Sequence, residues 1–299
     1  MKVFWLKEDT ELPSDVYGGS LVIGNLDGVH KGHLLLIKRA KELAEEKRIP
    51  FNILTFYPHP YLLFYPEKKS FALTPLRSKL RIFKELGVDN VFLCKFTSQI
   101  AALSPQDYVD LFFRRMIRPT YIVVGDDHSF GKNRSGNTAF LRSAGYQVEV
   151  IERDLRYSSS YIRELVEDGE MHLAYMCMGR YYEIEDFVHR GEGIAGKLGF
   201  PTVNLNIKNY VKPRFGVYAS RTLLNDEWKN GICYYGRRPT LIDSEPILEN
   251  HIFDFDCNLY GKRIRMIFID YIRNEIRFNN AEEIKRQIKK DIIDAKGLL

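Results

Sequence analysis

The chain has 299 residues, 45% of them apolar and 28% charged, with a formal net charge of +5. That length suits two domains, and a small positive charge interspersed with acids mildly favours polyanionic ligands, while the absence of a basic stripe interleaved with aromatics counts against a nucleic-acid partner. The four cysteines form no CxxC pair, the amino terminus turns charged early, and no apolar run is long enough to span a membrane. Structural zinc, a disulfide framework, a secretory signal and a membrane anchor are therefore disfavoured, and a cytoplasmic protein is expected.

Apolar runs at 20–25, 51–56, 90–96, 120–125 and 147–151 predict five strands. Helical patterns alternate with them. The first starts at Leu34, and Thr74 and Ser104, each followed by proline, read as capping hydroxyls of two more. Such alternation predicts a parallel sheet with helices on both faces, whose ligands sit beyond the carboxyl ends of the strands. Two short helices are expected at 160–167 and 170–178, and after Gly179 the period changes. Short strands at 182–188, 202–207, 216–224, 228–235, 251–255 and 264–272 predict a small antiparallel barrel or sandwich. A last helix follows Asn280, with Glu283 at its third position and Ile284, Ile288 and Ile292 as an apolar stripe. The expected domains are 1–180 and 181–299.

Gly24-Asn25-Leu26-Asp27-Gly28-Val29-His30-Lys31-Gly32-His33 joins the strand at 20–25 to the first helix. A strand, a glycine-rich turn and a helix aim backbone N–H groups and the positive helix end at an anion. His30 and His33 lie on that turn, so both rings reach one nucleotide phosphate, which suits displacement at phosphorus. Ser158-Ser159-Ser160-Tyr161-Ile162-Arg163 also begins a helix. Its serines fit a plain cap, or, with Arg163 one turn in, a second phosphate site. The loop from Gly125 to Gly136, containing Asp127, follows the fourth strand where ligand loops of such folds lie. Thr55-Phe56-Tyr57-Pro58-His59-Pro60 ends the second strand, and His59 alone reads as structural.

In the second half, Gly191, Gly193 and Gly196 give a loop able to fold over phosphates, followed by Gly199-Phe200-Pro201-Thr202-Val203-Asn204. Thr202 and Asn204, two apart on a strand, put both oxygens on one side and could hold Mg²⁺ with a triphosphate. An ordinary barrel turn fits that spacing equally well. Glu249 leads into an apolar strand, where a general base is conceivable but an exposed edge-strand carboxylate is the commoner case.

Together these segments resemble one family, the bifunctional riboflavin kinase/FMN adenylyltransferases of bacteria. The family pattern G-x-F-D-G-V-H-x-G-H matches 24–33 with Leu26 for Phe, and T-F-x-P-H-P matches 55–60. V-G-x-D-F-x-F-G matches 124–131 with His128 for Phe, S-S-T/S-x-I-R matches 158–163, and L-G-R-x-Y resembles 178–182. G-F-P-T-A-N matches 199–204 with Val203 for Ala, G-x-R-P-T matches 236–240, and L-E-x-H-L-x-D-F-x-x-x-L-Y-G matches 248–261.

The resemblance implies an α/β Rossmann-like nucleotidyltransferase domain followed by an all-β barrel, the flavin kinase, with a carboxy-terminal helix. It implies two reactions: riboflavin and ATP give FMN, and FMN and a second ATP give FAD and pyrophosphate. By matching position, His30 and His33 handle ATP phosphates beside Gly24, Asn25, Asp27 and Gly28, while Asp127, Ser159, Ser160 and Arg163 line the same site. In the kinase, Gly191, Gly193 and Gly196 belong to the nucleotide loop, Thr202 and Asn204 ligate Mg²⁺-ATP, and Glu249 accepts the proton of the riboflavin 5′-hydroxyl. The implied partners are small molecules only: ATP, riboflavin and FMN, with Mg²⁺. Three positions depart from the family: Ala195-Gly196 where G-R is usual, Cys257-Asn258 for Gly-Asp, and Tyr57 for Asp. The first weakens the expected hold on ATP, so an adenylyltransferase whose barrel only binds flavin is the alternative.

Overall fold

A computed structural model describes every residue except Glu8, Lys69, Arg153, Leu155, Glu192 and 238–244, and of Ile194 it describes the backbone alone. Positions 238–240 of the expected 236–240 motif therefore lie outside the described residues. The chain forms two compact units, Met1–Lys69 with Pro75–Ser158, and Ser70–Thr74 with Ser159–Leu299.

The first unit contains β1 (Lys2–Leu6), β2 (Ser20–Ile23), β3 (Phe51–Phe56), β4 (Asn90–Cys94), β5 (Tyr121–Gly125), β6 (Ser129–Phe130), β7 (Gly136–Asn137) and β8 (Gln147–Ile151). Six of these form one sheet in the order β1-β4-β3-β2-β5-β8, every neighbouring pair parallel. β6 and β7 make a separate short hairpin. Alternation along the strands feeds two cores. Leu21, Ile23, Leu54, Phe92, Ile122 and Val124 join one, while Val22, Ile53, Val91 and Val123 join the other. Strands buried on both faces favour apolar residues at most positions, which is why they read as near-continuous runs. The second of these cores takes Leu36, Ile37, Ala40, Leu43 and Ala44 from the helix Lys31–Lys47. Ser104 caps as expected, its hydroxyl accepting from Asp107 N at 3.1 Å with Pro105 first in the helix. Thr74 does not. Pro75 precedes the helix Leu76–Glu85 without a side-chain cap, and Thr74 Oγ1 accepts instead from Arg180 Nη2 at 3.2 Å.

The second unit holds β9 (Glu183–Phe187), β10 (Val203–Leu205), β11 (Gly216–Leu224), β12 (Glu227–Gly236), β13 (Ile247–Ile252) and β14 (Arg263–Arg273). They form an antiparallel sheet in the order β10-β13-β12-β11-β14-β9. A bridge between His189 and Asn204 links the regions of the two edge strands, so the sheet curls into a near-barrel. The strand expected at 251–255 lies earlier. Pairing with β12 fixes it at 247–252, and Asp254 turns left-handed at φ 51° just beyond. Glu249 thus stands inside a strand rather than ahead of one.

The interior of this unit includes more than the strands. Ile162, Leu165, Val166, Met171, Ala174 and Met178, from the helices Ser159–Asp168 and Met171–Met178, pack with Tyr182, Ile184, Tyr218 and Phe268. By their contacts these two helices group with the second unit. Ser70–Thr74 is drawn in as well: Ser70 Oγ donates to Lys208 O at 2.8 Å, Val211 N to Ala72 O at 3.1 Å, and Leu73 is buried. On another face the helix Ala281–Leu298 sets Ile288, Ile292 and Ala295 against Val217, Ala219, Ile232 and Ile267. Asn280 caps it through Glu283 N at 2.9 Å, and the Glu283 carboxylate accepts from Asn279 N at 2.9 Å.

Candidate active sites

In the parallel sheet, β2 leads one way to β3 and β4, while β5 and β8 extend the other way. The strand order therefore reverses between β2 and β5, the crevice where open α/β sheets bind ligands. Both loops leaving this point carry expected site residues. After β2, Leu26, Gly28 and Val29 all adopt positive φ, at 48°, 83° and 37°, which folds the chain into a tight turn. Gly28 is the residue that takes this conformation without steric cost. Asp27 is buried inside the turn. Gly24 N donates to Leu54 O at 3.1 Å, keeping the loop's entry on the sheet.

The turn delivers His30 to the position just before the helix Lys31–Lys47, with His33 in the first turn. The two rings stack with centroids 3.7 Å apart and planes inclined by 21°. Paired imidazoles at the positive end of a 17-residue helix form a compact donor surface for anionic oxygen. Two residues past the end of β5, the Asp127 carboxylate lies against Gly125, whose added Cβ would come 3.1 Å from Oδ1.

Sequence reasoning missed Lys79. It is buried, and its ammonium donates to Asn25 O at 2.6 Å, the same carbonyl that accepts from Thr55 Oγ1 at 3.2 Å. Two donors on one carbonyl fix the start of the turn that follows β2. The available signal was a lysine between Leu76, Leu80 and Phe83 on the apolar face of its helix.

His128 is stacked beside Phe130 at 5.8 Å, with a buried Nε2 that has no hydrogen-bond partner among the described residues. Burial, with the nearby Arg134 charge, lowers its pKa from 6.5 to about 4. The unfolded chain then binds a proton between these values that the folded chain refuses. Stability is expected to fall as pH drops from 6.5 towards 4, and His128→Phe to remove that part of the decline in urea midpoints measured across the range.

Ser159, Ser160 and Arg163 belong to the second unit, at the start of the helix Ser159–Asp168. Arg163 Nε donates to Phe71 O at 3.0 Å, and its guanidinium carbon lies 3.7 Å from the centre of the Phe71 ring.

In the near-barrel, Asn204 on β10 is the direct register partner of Glu249 on β13, which is in turn the partner of Tyr234 on β12. Directly opposed residues share a face with Cβ atoms roughly 4.5–5.5 Å apart. This face is not that of the interior, because the flanking Leu205 and Leu248 point into the core. Thr202 lies one residue before β10. His251 Nδ1 is 2.8 Å from the carbonyl of Pro201, tying that loop to β13. Gly191 abuts the Asn204 amide so closely that an added Cβ would overlap Nδ2 and Cγ, so the glycine loop and Asn204 form one structure. Gly193 takes φ 67° and Gly196 runs near Pro201. Tyr234 donates its hydroxyl to Glu275 Oε1 at 2.6 Å, and burial together with the Glu275 and Glu249 charges drives its pKa upward.

A family model of FAD synthetase matches residues 13–160, and one of riboflavin kinase matches 178–299. The bifunctional riboflavin kinase/FMN adenylyltransferase of Escherichia coli (strain K12) is 35% identical over 93% of this chain and 92% of its own length. That of Bacillus subtilis (strain 168) is 34% identical over 91% of this chain and 89% of its own.

The chain belongs to the bifunctional riboflavin kinase/FMN adenylyltransferase family.

A solved structure is also similar to this chain. It is a crystal structure described as a macrolide-efflux protein from Streptococcus pneumoniae, with a TM-score of 0.89, 25% identity and 99% coverage of both chains. Among the described residues of this family member, no helix is long and apolar enough to cross a membrane.

Proposed function

We propose that the chain performs both reactions of its family, with the chemistry divided between two constellations. In the kinase reaction the riboflavin 5′-hydroxyl oxygen attacks the γ-phosphorus of ATP and ADP departs. Glu249 accepts the hydroxyl proton. In the adenylyl transfer a phosphate oxygen of FMN attacks the α-phosphorus of a second ATP, and pyrophosphate departs. His30 and His33 hold the ATP phosphates as negative charge shifts to the leaving group, with backbone N–H groups of the Gly24–Gly28 turn alongside. Asp127, Ser159, Ser160 and Arg163 serve the same reaction.

The observation that carries the kinase reading is the cross-strand pairing of Asn204 with Glu249, an oxygen donor facing a carboxylate on a shared surface. Thr202 and Asn204 offer a hydroxyl and an amide oxygen, the hard donors that Mg²⁺ prefers. When bound there with ATP, Mg²⁺ supplies charge neutralisation at the phosphates. Gly191, Gly193 and Gly196 lie over the same nucleotide, and the intact pairing favours an active barrel over one that only binds flavin. None of the four cysteines is joined in a disulfide, which suits the cytoplasm.

Incubating the full chain with riboflavin and Mg-ATP tests this. FMN should appear first, then FAD with pyrophosphate. FAD from supplied FMN with no FMN from riboflavin would leave only the adenylyl transfer.

A further inference from the structure

Arg163 is useful to a phosphate only if its fork points one way, yet a long side chain near a helix start has many rotamers to choose from. The segment Ser70–Thr74 restricts that choice. It is anchored independently of Arg163: Ala72 N donates to Asn209 O at 3.3 Å, Val211 N to Ala72 O at 3.1 Å, and Leu73 is buried in the near-barrel interior. Phe71 lies in the middle of this strap. Its carbonyl accepts from Arg163 Nε at 3.0 Å while its ring meets the flat face of the guanidinium at 3.7 Å. A hydrogen bond along the edge and a ring against the face together define the plane of the fork.

We propose that Phe71 is a positioning residue for adenylyl transfer, holding the Arg163 guanidinium in the orientation that grips the phosphates of ATP. This rests on the reading of Arg163 as a phosphate ligand. Phe71 touches no reacting atom. It acts through Arg163, and its effect disappears when Arg163 is absent.

The test uses the full-length protein and measures FAD formation from FMN and Mg-ATP, with FMN formation from riboflavin measured in parallel. Phe71→Leu keeps an apolar side chain but removes the ring, and should lower kcat/KM for FAD formation by about tenfold, the scale of a partly desolvated cation–π contact. Phe71→Tyr keeps the ring and should restore the rate. Arg163→Ala should lose more, and adding Phe71→Leu to it should change nothing further. FMN formation should be unchanged in both Phe71 variants. A normal FAD rate in Phe71→Leu beside an impaired Arg163→Ala overturns the proposal, as do additive losses, a failure of Phe71→Tyr to restore, or loss of both activities in Phe71→Leu. A normal FAD rate in Arg163→Ala overturns instead the phosphate reading beneath it.

Discussion

Replacing His33 by alanine is expected to cut FAD formation from FMN by about 10²–10³-fold, the loss typical of a preorganised donor to developing charge. FMN formation from riboflavin should persist. His33 sits in the first turn of the helix Lys31–Lys47 with its ring 3.7 Å from that of His30. Its removal therefore deletes one donor and also the surface that holds its neighbour's ring in plane. His33→Asn, which keeps a donor N–H closer to the backbone, should recover part of the loss. Product separation from parallel assays decides the matter, because the residues proposed for the kinase reaction, Thr202, Asn204 and Glu249, lie in the other unit of the chain. Equal loss of both products would break the assignment.

The reciprocal result is expected for Glu249. Glu249→Ala should lower FMN formation by roughly 10²–10⁴-fold, the usual contribution of a positioned general base, with FAD formation from supplied FMN retained. The magnitude follows from where the carboxylate is held. Its strand is paired on both sides, to Asn204 on β10 and to Tyr234 on β12, so the backbone beneath it has little freedom. Glu249→Gln preserves size and hydrogen bonding but cannot accept the proton, and it should be nearly as inactive as alanine. If the glutamine variant kept its rate, Glu249 would be a binding residue, and proton removal would fall to another group.

Much of this was legible in the sequence because it is local. The strands at 51–56 and 147–151 have the predicted ends, since their apolar runs are cut off by turns. His30 and His33 lie within one turn of the same helix start, so short spacing alone brings their rings together. β1 escaped notice because it is an edge strand with an exposed Val3 and Trp5, lacking the burial on both faces that marks its neighbours. The 247–252 strand was shifted because its limits come from pairing with β12 rather than from its own composition. Thr74 carried a genuine capping signal that was overridden when its segment joined the second unit. Phe71 was invisible for a related reason. It meets Arg163 across a separation of 92 residues, which no pattern within either segment encodes.

That the interior of the near-barrel recruits Leu73, Ile162, Leu165, Val166, Met171, Ala174 and Met178 bears on how such a gene can be divided. A join between two finished proteins would leave each with all the side chains that fill it. Here, scission at codon 180 would take those seven side chains out of the kinase interior and leave them on the other product. Anyone wishing to study the two catalysts apart is better served by inactivating one in the intact polypeptide than by cutting it.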